Sequence, residues 1–523
     1  MRVLGIESTA HTASVGLVED GRIIGFRSHT HIPKEGGIKP KEAADHHREY
    51  FPELLRQLLD EHSLNPQGLD RIAFSIGPGL GPSLKTGASL ARFLSLKYGK
   101  PIVPINHGVG HLEISRSLSR LKNPLFLYIS GGNTQLVSRG SGRYLVLGET
   151  LDIGIGNFLD KVAREMGIPF PGAPVLEKLA LNGSKVLDCP YTVKGMDVSY
   201  SGLFTYLKNK IGEERKEDIA FNAQEFSFTA LAEILERGMA HFGFSEFTIT
   251  GGVARNGRLR EMLSEMAKMR KYDYFFPPDQ YLSDNGAMIA LAGYYSSNVG
   301  SLEEEINQRD RLDSRDSPWI GKSSISSVEM VGGESVVTPS NLFDLFALSK
   351  RRLKKDYRVD RIDRSISIQR MKKEIRILNS LRELGINVPM IYYADFEERE
   401  IVMERIVGTK LSSALSSGGV EKIVSEAGKM VGKMHAHHIS HGDLTPGNIL
   451  VGDKIYLIDA SMGELNAEIE DMGVDIHLMK ESLKSLGAEE LFQAFIKGYL
   501  SSNEEGKLVV EKVKEIEGRR RYV

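Results

Sequence analysis

The sequence predicts an α/β protein in two parts: a larger N-terminal part built from a duplicated unit, and a smaller C-terminal α/β part. Two observations predict the duplication and a third divides the chain. Val3–Ile6, Ala13–Val18 and Arg22–Phe26 read as a three-strand meander, with Asp20-Gly21 as a hairpin turn. Leu125–Ile129, Thr134–Val137 and Arg143–Val146 read as a second one, turning at Ser141-Gly142, and a shift of 121 places Leu4 on Leu125, Val15 on Leu136 and Gly21 on Gly142. Finally, residues 321–335 (GKSSISSVEMVGGES) are rich in Ser and Gly and read as a linker, following a strongly charged stretch at 301–317.

Each meander's first strand runs into a small polar loop, Glu7-Ser8-Thr9 in one and Ser130-Gly131-Gly132-Asn133 in the other. Two copies of one unit predict a ligand cleft between them. This is the arrangement of the actin-like, sugar-kinase and Hsp70 ATPase superfamily. Beyond the linker, residues 366–384 have helical periodicity, and Ile401–Ile406 and Ile455–Ile458 read as strands. The expected boundaries are a domain over 1–322, a linker over 323–335 and a second domain over 336–523.

Composition excludes several classes. The chain has 523 residues, 41% hydrophobic and 26% charged, which is ordinary for a globular protein and unlike a disordered or fibrous one. A net charge of −2 gives no global attraction to nucleic acid or membrane, so any polyanion site is a local patch. One cysteine, Cys189, rules out an intrachain disulfide or a Cys-based zinc site and fits a reducing, cytoplasmic compartment. The N-terminus meets Arg2 and Glu7 before a signal-peptide core can form, and no apolar run spans a membrane.

Asn106-His107-Gly108-Val109-Gly110-His111 puts two imidazoles at i and i+4, on one helix face, where they can hold one metal ion or simply line a helix surface. The strand-like Ile102–Ile105 just before them puts the pair at a strand's carboxyl end, where α/β sites gather. A metalloprotease would carry a general-base Glu directly after the first His; Gly108 stands there. Three glycine clusters also follow strands: Gly77–Pro82, Ser130–Asn133 and Gly251–Asn256. Their free N–H groups suit a nucleotide-like ligand, although none has Walker or Rossmann spacing.

The segments GIESTAHTASVGLV, GPGLGPSLKTG, INHGVGHLE, YISGGNTQL, PFPGAP, GGVARN and SDNGAMIA occur in this order over roughly residues 1–320. They resemble the universal tRNA N6-threonylcarbamoyladenosine transferase, in archaea and eukaryotes the transferase subunit of the KEOPS complex. The resemblance implies an actin-like fold. It also implies transfer of a threonylcarbamoyl group from threonylcarbamoyl-adenylate to N6 of the adenosine beside the anticodon, in tRNAs reading codons that begin with A, with release of AMP. It assigns His107, His111 and Asp284 to one divalent metal, iron or zinc, with Tyr128 beside it or ligating. Tyr128, Ile129, Ser130, Gly131 and Gly132 would contact the adenylate, together with Asp160, Gly172, Ala173, Glu177 and Asn256. The family usually has Pro-Gly-Gly-Pro where this chain reads Pro171-Gly172-Ala173-Pro174, so a methyl group enters the loop. The donor is an activated mixed anhydride and needs no protein nucleophile. The amine must lose a proton, and Glu7 and His11 are the nearest candidates in the first loop, each equally readable as structural.

In the second part, His441-Gly442-Asp443-Leu444-Thr445-Pro446-Gly447-Asn448 has the spacing of a kinase catalytic loop, and Asp459 follows a strand eleven residues beyond Asn448. In kinase logic Asp443 orients the attacking hydroxyl, while Asn448 and Asp459 hold magnesium. Lys350 is the candidate phosphate-binding lysine and Glu374 its ion-pair partner. The glycine loop is degenerate, Gly332-Gly333-Glu334-Ser335, and Asp-Ala-Ser replaces Asp-Phe-Gly at Asp459. These features resemble the small atypical serine/threonine kinase of KEOPS, over about residues 328–523. The resemblance implies a bilobal kinase-like α+β fold using ATP and magnesium, as an ATPase driving the transferase cycle or as a kinase. It implies tRNA and the other KEOPS subunits, a small dimerising one and a kinase-binding one, as partners, with no membrane. The alternatives are a metalloprotease, suggested only by the histidine pair, and a non-enzymatic assembly scaffold with a dead kinase-like half. Residues 350–376 carry twelve Lys/Arg against four Asp/Glu. They and the Arg519–Arg521 tail read either as a tRNA footprint or as a solvated charged helix and a terminus.

Overall fold

A computed structural model describes residues 1–32, 38–140, 142–313, 335–342, 345–415 and 419–518. Ser141, most of the 321–335 linker, Gly332 to Glu334 and Arg519–Arg521 lie outside the described residues. The described chain forms two compact units, one of residues 1–190 and 199–313 and one of residues 191–198 and 335–518.

The first unit contains two five-stranded sheets of one topology. In the first, Arg2–Glu7, Thr12–Glu19 and Arg22–Thr30 form an antiparallel meander, and Arg71–Gly77 and Ile102–Asn106 extend it in parallel from Arg2–Glu7. In the second, Leu125–Ile129, Thr134–Gly140 and Arg143–Glu149 form the meander, and Glu246–Thr250 and Asp273–Phe275 extend it in the same way. Each meander has a register irregularity between its second and third strands, at Leu17/Val18 and at Leu136/Val137. The duplication read from the two hairpins is the fold.

The central strands are apolar on both faces because helices cover both. Leu4, Ile6, Val15, Ile72 and Phe74 pack with Phe51, Leu58 and Ala88 on one side. Val3, Ala73 and Val103 pack with Ala287, Ala290 and Leu291 of the helix Gly286–Tyr295 on the other. That helix lies unusually close to the sheet. A Cβ on Gly5 would sit 2.2 Å from Ala290 N, and one on Gly16 2.2 Å from Ala287 N. Only glycine permits this approach. The contact fixes the helix N-terminus, where Asp284 stands, and Asn285 caps it by accepting from Met288 N–H at 3.0 Å.

In the second unit, Ser335–Leu342, Leu345–Arg352, Glu400–Glu404 and Ile391–Asp395 form an antiparallel sheet beside the helix Asp360–Glu383. The helices Val420–His435, Ile469–Ser485, Phe492–Leu500 and Gly506–Gly518 build a second lobe around Val424, Val431, Leu444, Ile476 and Phe495. Five of the twelve cations in residues 350–376 are buried: Lys350, Arg352, Lys355, Arg358 and Arg370. Arg358 and Arg399 both pair with the buried Asp363. Of the five only Arg370 lies on the helix Asp360–Glu383, while Lys350, Arg352 and Arg358 pair with buried acids, so part of this charge is folded into the core. Among the described residues no helix is long and apolar enough to cross a membrane.

Candidate functional site

In the first unit the site begins where the strand Ile102–Asn106 becomes the helix His107–Leu118. Asn106 caps that helix by accepting from Val109 N–H at 3.2 Å, and its amide donates to Asp310 Oδ2 at 2.9 Å. His107 and His111 then share one face of the helix. Asp284 arrives from a segment 173 residues past His111, and its Oδ1 stands 3.2 Å from His111 Nε2 and 3.6 Å from His107 Nε2. One ligand atom from each of the three lies within 4.8 Å of the others. Two imidazoles and a carboxylate are a donor set suited to zinc or iron.

A carboxylate behind one imidazole strengthens the fit. Glu7 Oε2 is 3.0 Å from His107 Nδ1, so that nitrogen donates to Glu7 and Nε2 is the one turned toward Asp284. The other Glu7 oxygen accepts from Thr9 N–H at 2.7 Å and from Thr9 Oγ1–H at 2.6 Å. Glu7 is fully buried. Burial alone would hold His107 neutral, but the Glu7 and Asp284 carboxylates outweigh it and raise its pKa to about 9. Burial lowers that of His111. Asp284 is only partly buried, and the two imidazoles hold it below the usual carboxylate range. Tyr128 packs its ring 5.2 Å from that of His111, and burial raises its phenol pKa.

The glycine loop after the strand Leu125–Ile129 is tied at both ends. Ser130 N–H donates to Asn133 O at 2.8 Å, and Asn157 N–H donates to Gly131 O at 2.8 Å. Asp160 Oδ1 accepts from Gly172 N–H at 2.8 Å and from Ala173 N–H at 2.9 Å, while burial raises the Asp160 pKa. Glu177 Oε1 accepts from Gly257 N–H at 2.8 Å, and the neighbouring Asn256 caps the helix Gly257–Arg270. Asp160, Gly172 and Ala173 are thus one hydrogen-bonded group, and Glu177 and Asn256 meet at Gly257. Ile129 is buried and leads into the loop.

In the second unit, Lys350 Nζ is 2.5 Å from Glu374 Oε1 and 2.8 Å from Asp459 Oδ1. Burial works against this ammonium, but Asp459 and Glu374 outweigh it and raise its pKa. Asn448 Nδ2 donates to the Asp443 carbonyl at 2.8 Å and to Asp443 Oδ2 at 3.1 Å. These five residues therefore fall into two directly bonded groups.

Two further groups in this unit escaped the sequence reading. Arg352 Nη2 donates to Glu374 Oε2 at 3.0 Å, so each carboxylate oxygen of Glu374 has its own cation. Arg352 lies two residues beyond Lys350 and thus on the same strand face, which was the available signal. Asp475 is fully buried and accepts from His441 N–H at 2.5 Å and Gly442 N–H at 2.8 Å, anchoring the catalytic-loop backbone. Its signal was a carboxylate between Val474 and Ile476. Gly442 adopts φ 76°, and a Cβ there would meet Met462 O at 2.2 Å, so the loop requires glycine.

The carboxylate behind His107 gives a direct expectation. Glu7→Gln should weaken divalent-metal affinity by about 10–100-fold, because the amide no longer orients and charges the imidazole. Metal titration followed by elemental analysis of the washed protein checks it, and unchanged affinity would make Glu7 a purely structural group.

The family model for tRNA N6-adenosine threonylcarbamoyltransferase matches residues 23–291, and the RIO domain model matches residues 344–464. Such a pair of domains implies the use of a metal and of ATP in general terms. A probable bifunctional tRNA threonylcarbamoyladenosine biosynthesis protein of Thermoplasma acidophilum is 43% identical over 533 residues, covering 100% of both chains. The relatives of that name from Thermoplasma volcanium and Methanocaldococcus jannaschii are 42% and 39% identical, again over 100% of both chains. The chain belongs to the family of bifunctional tRNA threonylcarbamoyladenosine biosynthesis proteins, with a threonylcarbamoyltransferase half and a RIO-type kinase half.

Proposed function

We propose that the first unit transfers the threonylcarbamoyl group of threonylcarbamoyl-adenylate to N6 of the adenosine beside the anticodon, releasing AMP. The second unit binds ATP and magnesium and supports that cycle by ATP hydrolysis or serine/threonine phosphorylation. The observation that carries the reading is the convergence of His107 and His111 Nε2 on Asp284 Oδ1, within reach of one ion. These residues would hold iron or zinc beside Tyr128, and such an ion supplies Lewis acidity toward the phosphate of the departing AMP. Glu7 accepts from His107 Nδ1–H, so Nε2 is the nitrogen that would face the ion. Asp160 holds the Gly172–Ala173 turn by two N–H groups, so the added methyl of Ala173 leaves that anchor intact. The Ser130–Asn133 loop offers backbone to the adenylate, with Glu177 and Asn256 near its far end. In the second unit Asp459 and Asn448 supply the oxygen donors that magnesium favours, Lys350 the phosphate contact and Asp443 the group facing the reacting hydroxyl or water.

The small dimerising and kinase-binding KEOPS subunits are the proposed partners, and the cytoplasm the proposed compartment. The test is nucleoside analysis of tRNA incubated with the full chain, these partners and the adenylate. The expected result is N6-threonylcarbamoyladenosine with one AMP released per modified base. A chain that binds donor and tRNA yet forms no modified base overturns the reading.

A further inference from the structure

The transfer leaves one proton without an acceptor. An exocyclic adenine amine that attacks a carbonyl becomes cationic, and something must take its proton for the product to form. The first loop offers two groups, Glu7 and His11, and the structure separates them. Both oxygens of Glu7 are engaged, Oε1 by two donors of Thr9 and Oε2 by His107, and the side chain is fully buried. It serves Thr9 and His107 and is shut away from solvent. Tyr128 is also buried, its hydroxyl accepts from the Asn133 amide at 3.3 Å, and its proton is held tightly.

His11 differs from all of these. It ends the loop that follows the strand Arg2–Glu7 in the first sheet, yet its ring meets the edge of Phe170, 5.9 Å away, in the turn before Pro171-Gly172. Gly172 N–H is one of the two donors to Asp160, so His11 reaches from the loop of the metal-orienting Glu7 to the turn assigned to the adenylate. The ring is only partly buried, but its Nδ1 is covered and has no hydrogen-bond partner. Buried polar atoms are normally paired, so an orphaned nitrogen between these two loops marks where a ligand group can complete the bond. The charged and titratable groups within electrostatic reach are Asp160, Asp284, His46 and His47. His46 and His47 are kept neutral, chiefly by burial, with pKa values lowered to about 4.

We infer that His11 is the general base of the transfer, with Nδ1 accepting the proton of the attacking adenosine N6. This inference rests on the transferase reading above. The N6 lone pair forms the bond to the carbamoyl carbon. The bond from that carbon to the phosphate oxygen breaks, and AMP leaves with the electron pair. The N6 proton passes to Nδ1 while Nε2 keeps its own, giving an imidazolium facing Asp160 and Asp284. The next turnover begins when that proton is released to water.

The experiment is a single-turnover transfer by the full chain, with preformed threonylcarbamoyl-adenylate and tRNA, measured across pH with metal content and donor affinity alongside. His11→Asn keeps a hydrogen-bonding group near Nδ1 without basicity. Its rate should fall by about 100-fold or more and lose the rise with pH that a general base gives, while metal and donor stay bound. His11→Ala should recover part of the lost rate with added imidazole. Parental rate in His11→Asn, or a rate lowered with the parental pH profile and no rescue of His11→Ala, overturns the assignment. A wild-type chain that binds both substrates and transfers nothing overturns the transferase reading instead, so the two failures are distinguishable.

Discussion

Replacing His107 and His111 together by glutamine is expected to abolish stoichiometric metal binding and to slow threonylcarbamoyl transfer by about three orders of magnitude. The size follows from the chemistry. A bound ion is worth several kcal/mol of charge stabilisation at a phosphate, and each 1.36 kcal/mol is about tenfold in rate. The pair supplies two of the three donors, both aimed by Nε2 at Asp284 Oδ1. Glutamine is a better probe than alanine because His111 is fully buried and His107 nearly so, and deleting both rings would leave a cavity. It keeps a polar group beside Asp284, whose carboxylate would otherwise lose both imidazole partners. Elemental analysis, a thermal melt and single-turnover transfer decide the matter. A folded double variant with full metal occupancy and parental rate would remove these histidines from the site.

The legible part of this molecule was local. The short apolar runs with their Asp-Gly and Ser-Gly turns gave both meanders, because adjacent strands and a two-residue turn are encoded within about twenty residues. The i, i+4 histidines and the HGDLTPGN loop were visible for the same reason. What stayed hidden depends on pairing across long separations. Glu7 and His107 stand 100 residues apart, and no periodicity joins them, so Glu7 was readable only as an ambiguous carboxylate in a polar loop. The basic run at 350–376 misled in the opposite direction. Its charge suggested a surface, but Arg352 is committed to Glu374 and Arg358 to Asp363, both buried acids on the helix Asp360–Glu383. A sequence counts such charges; only the fold reveals which are neutralised.

The same pairing makes Asp459 the most informative position in the kinase half. Its carboxylate meets the buried Lys350 at 2.8 Å, and Ser461 Oγ–H donates to Oδ1 at 3.2 Å. The residue adopts φ 60°, a left-handed conformation that Asn tolerates and most other side chains resist. Asp459→Asn therefore removes the charge with little backbone strain, whereas Asp459→Ala changes both. In the proposed ATP site this charge would hold magnesium against the phosphates, and losing it should cost several kcal/mol of transition-state stabilisation. ATP hydrolysis and autophosphorylation should fall together, by a factor of about 100 or more. Asp443→Asn should act in the same direction through the reacting hydroxyl or water, with its Asn448 bond at Oδ2 kept by the isosteric amide. Neither variant should alter the metal content of the first unit, whose ligands are His107, His111 and Asp284. Comparing single with multiple turnovers of tRNA modification then separates the roles of the kinase half. If ATP turnover drives cycling, a single turnover survives in both variants while repeated turnovers fail. If this half is a scaffold, modification is unchanged in both regimes. Parental ATP turnover in a folded Asp459→Asn chain would place the magnesium site elsewhere.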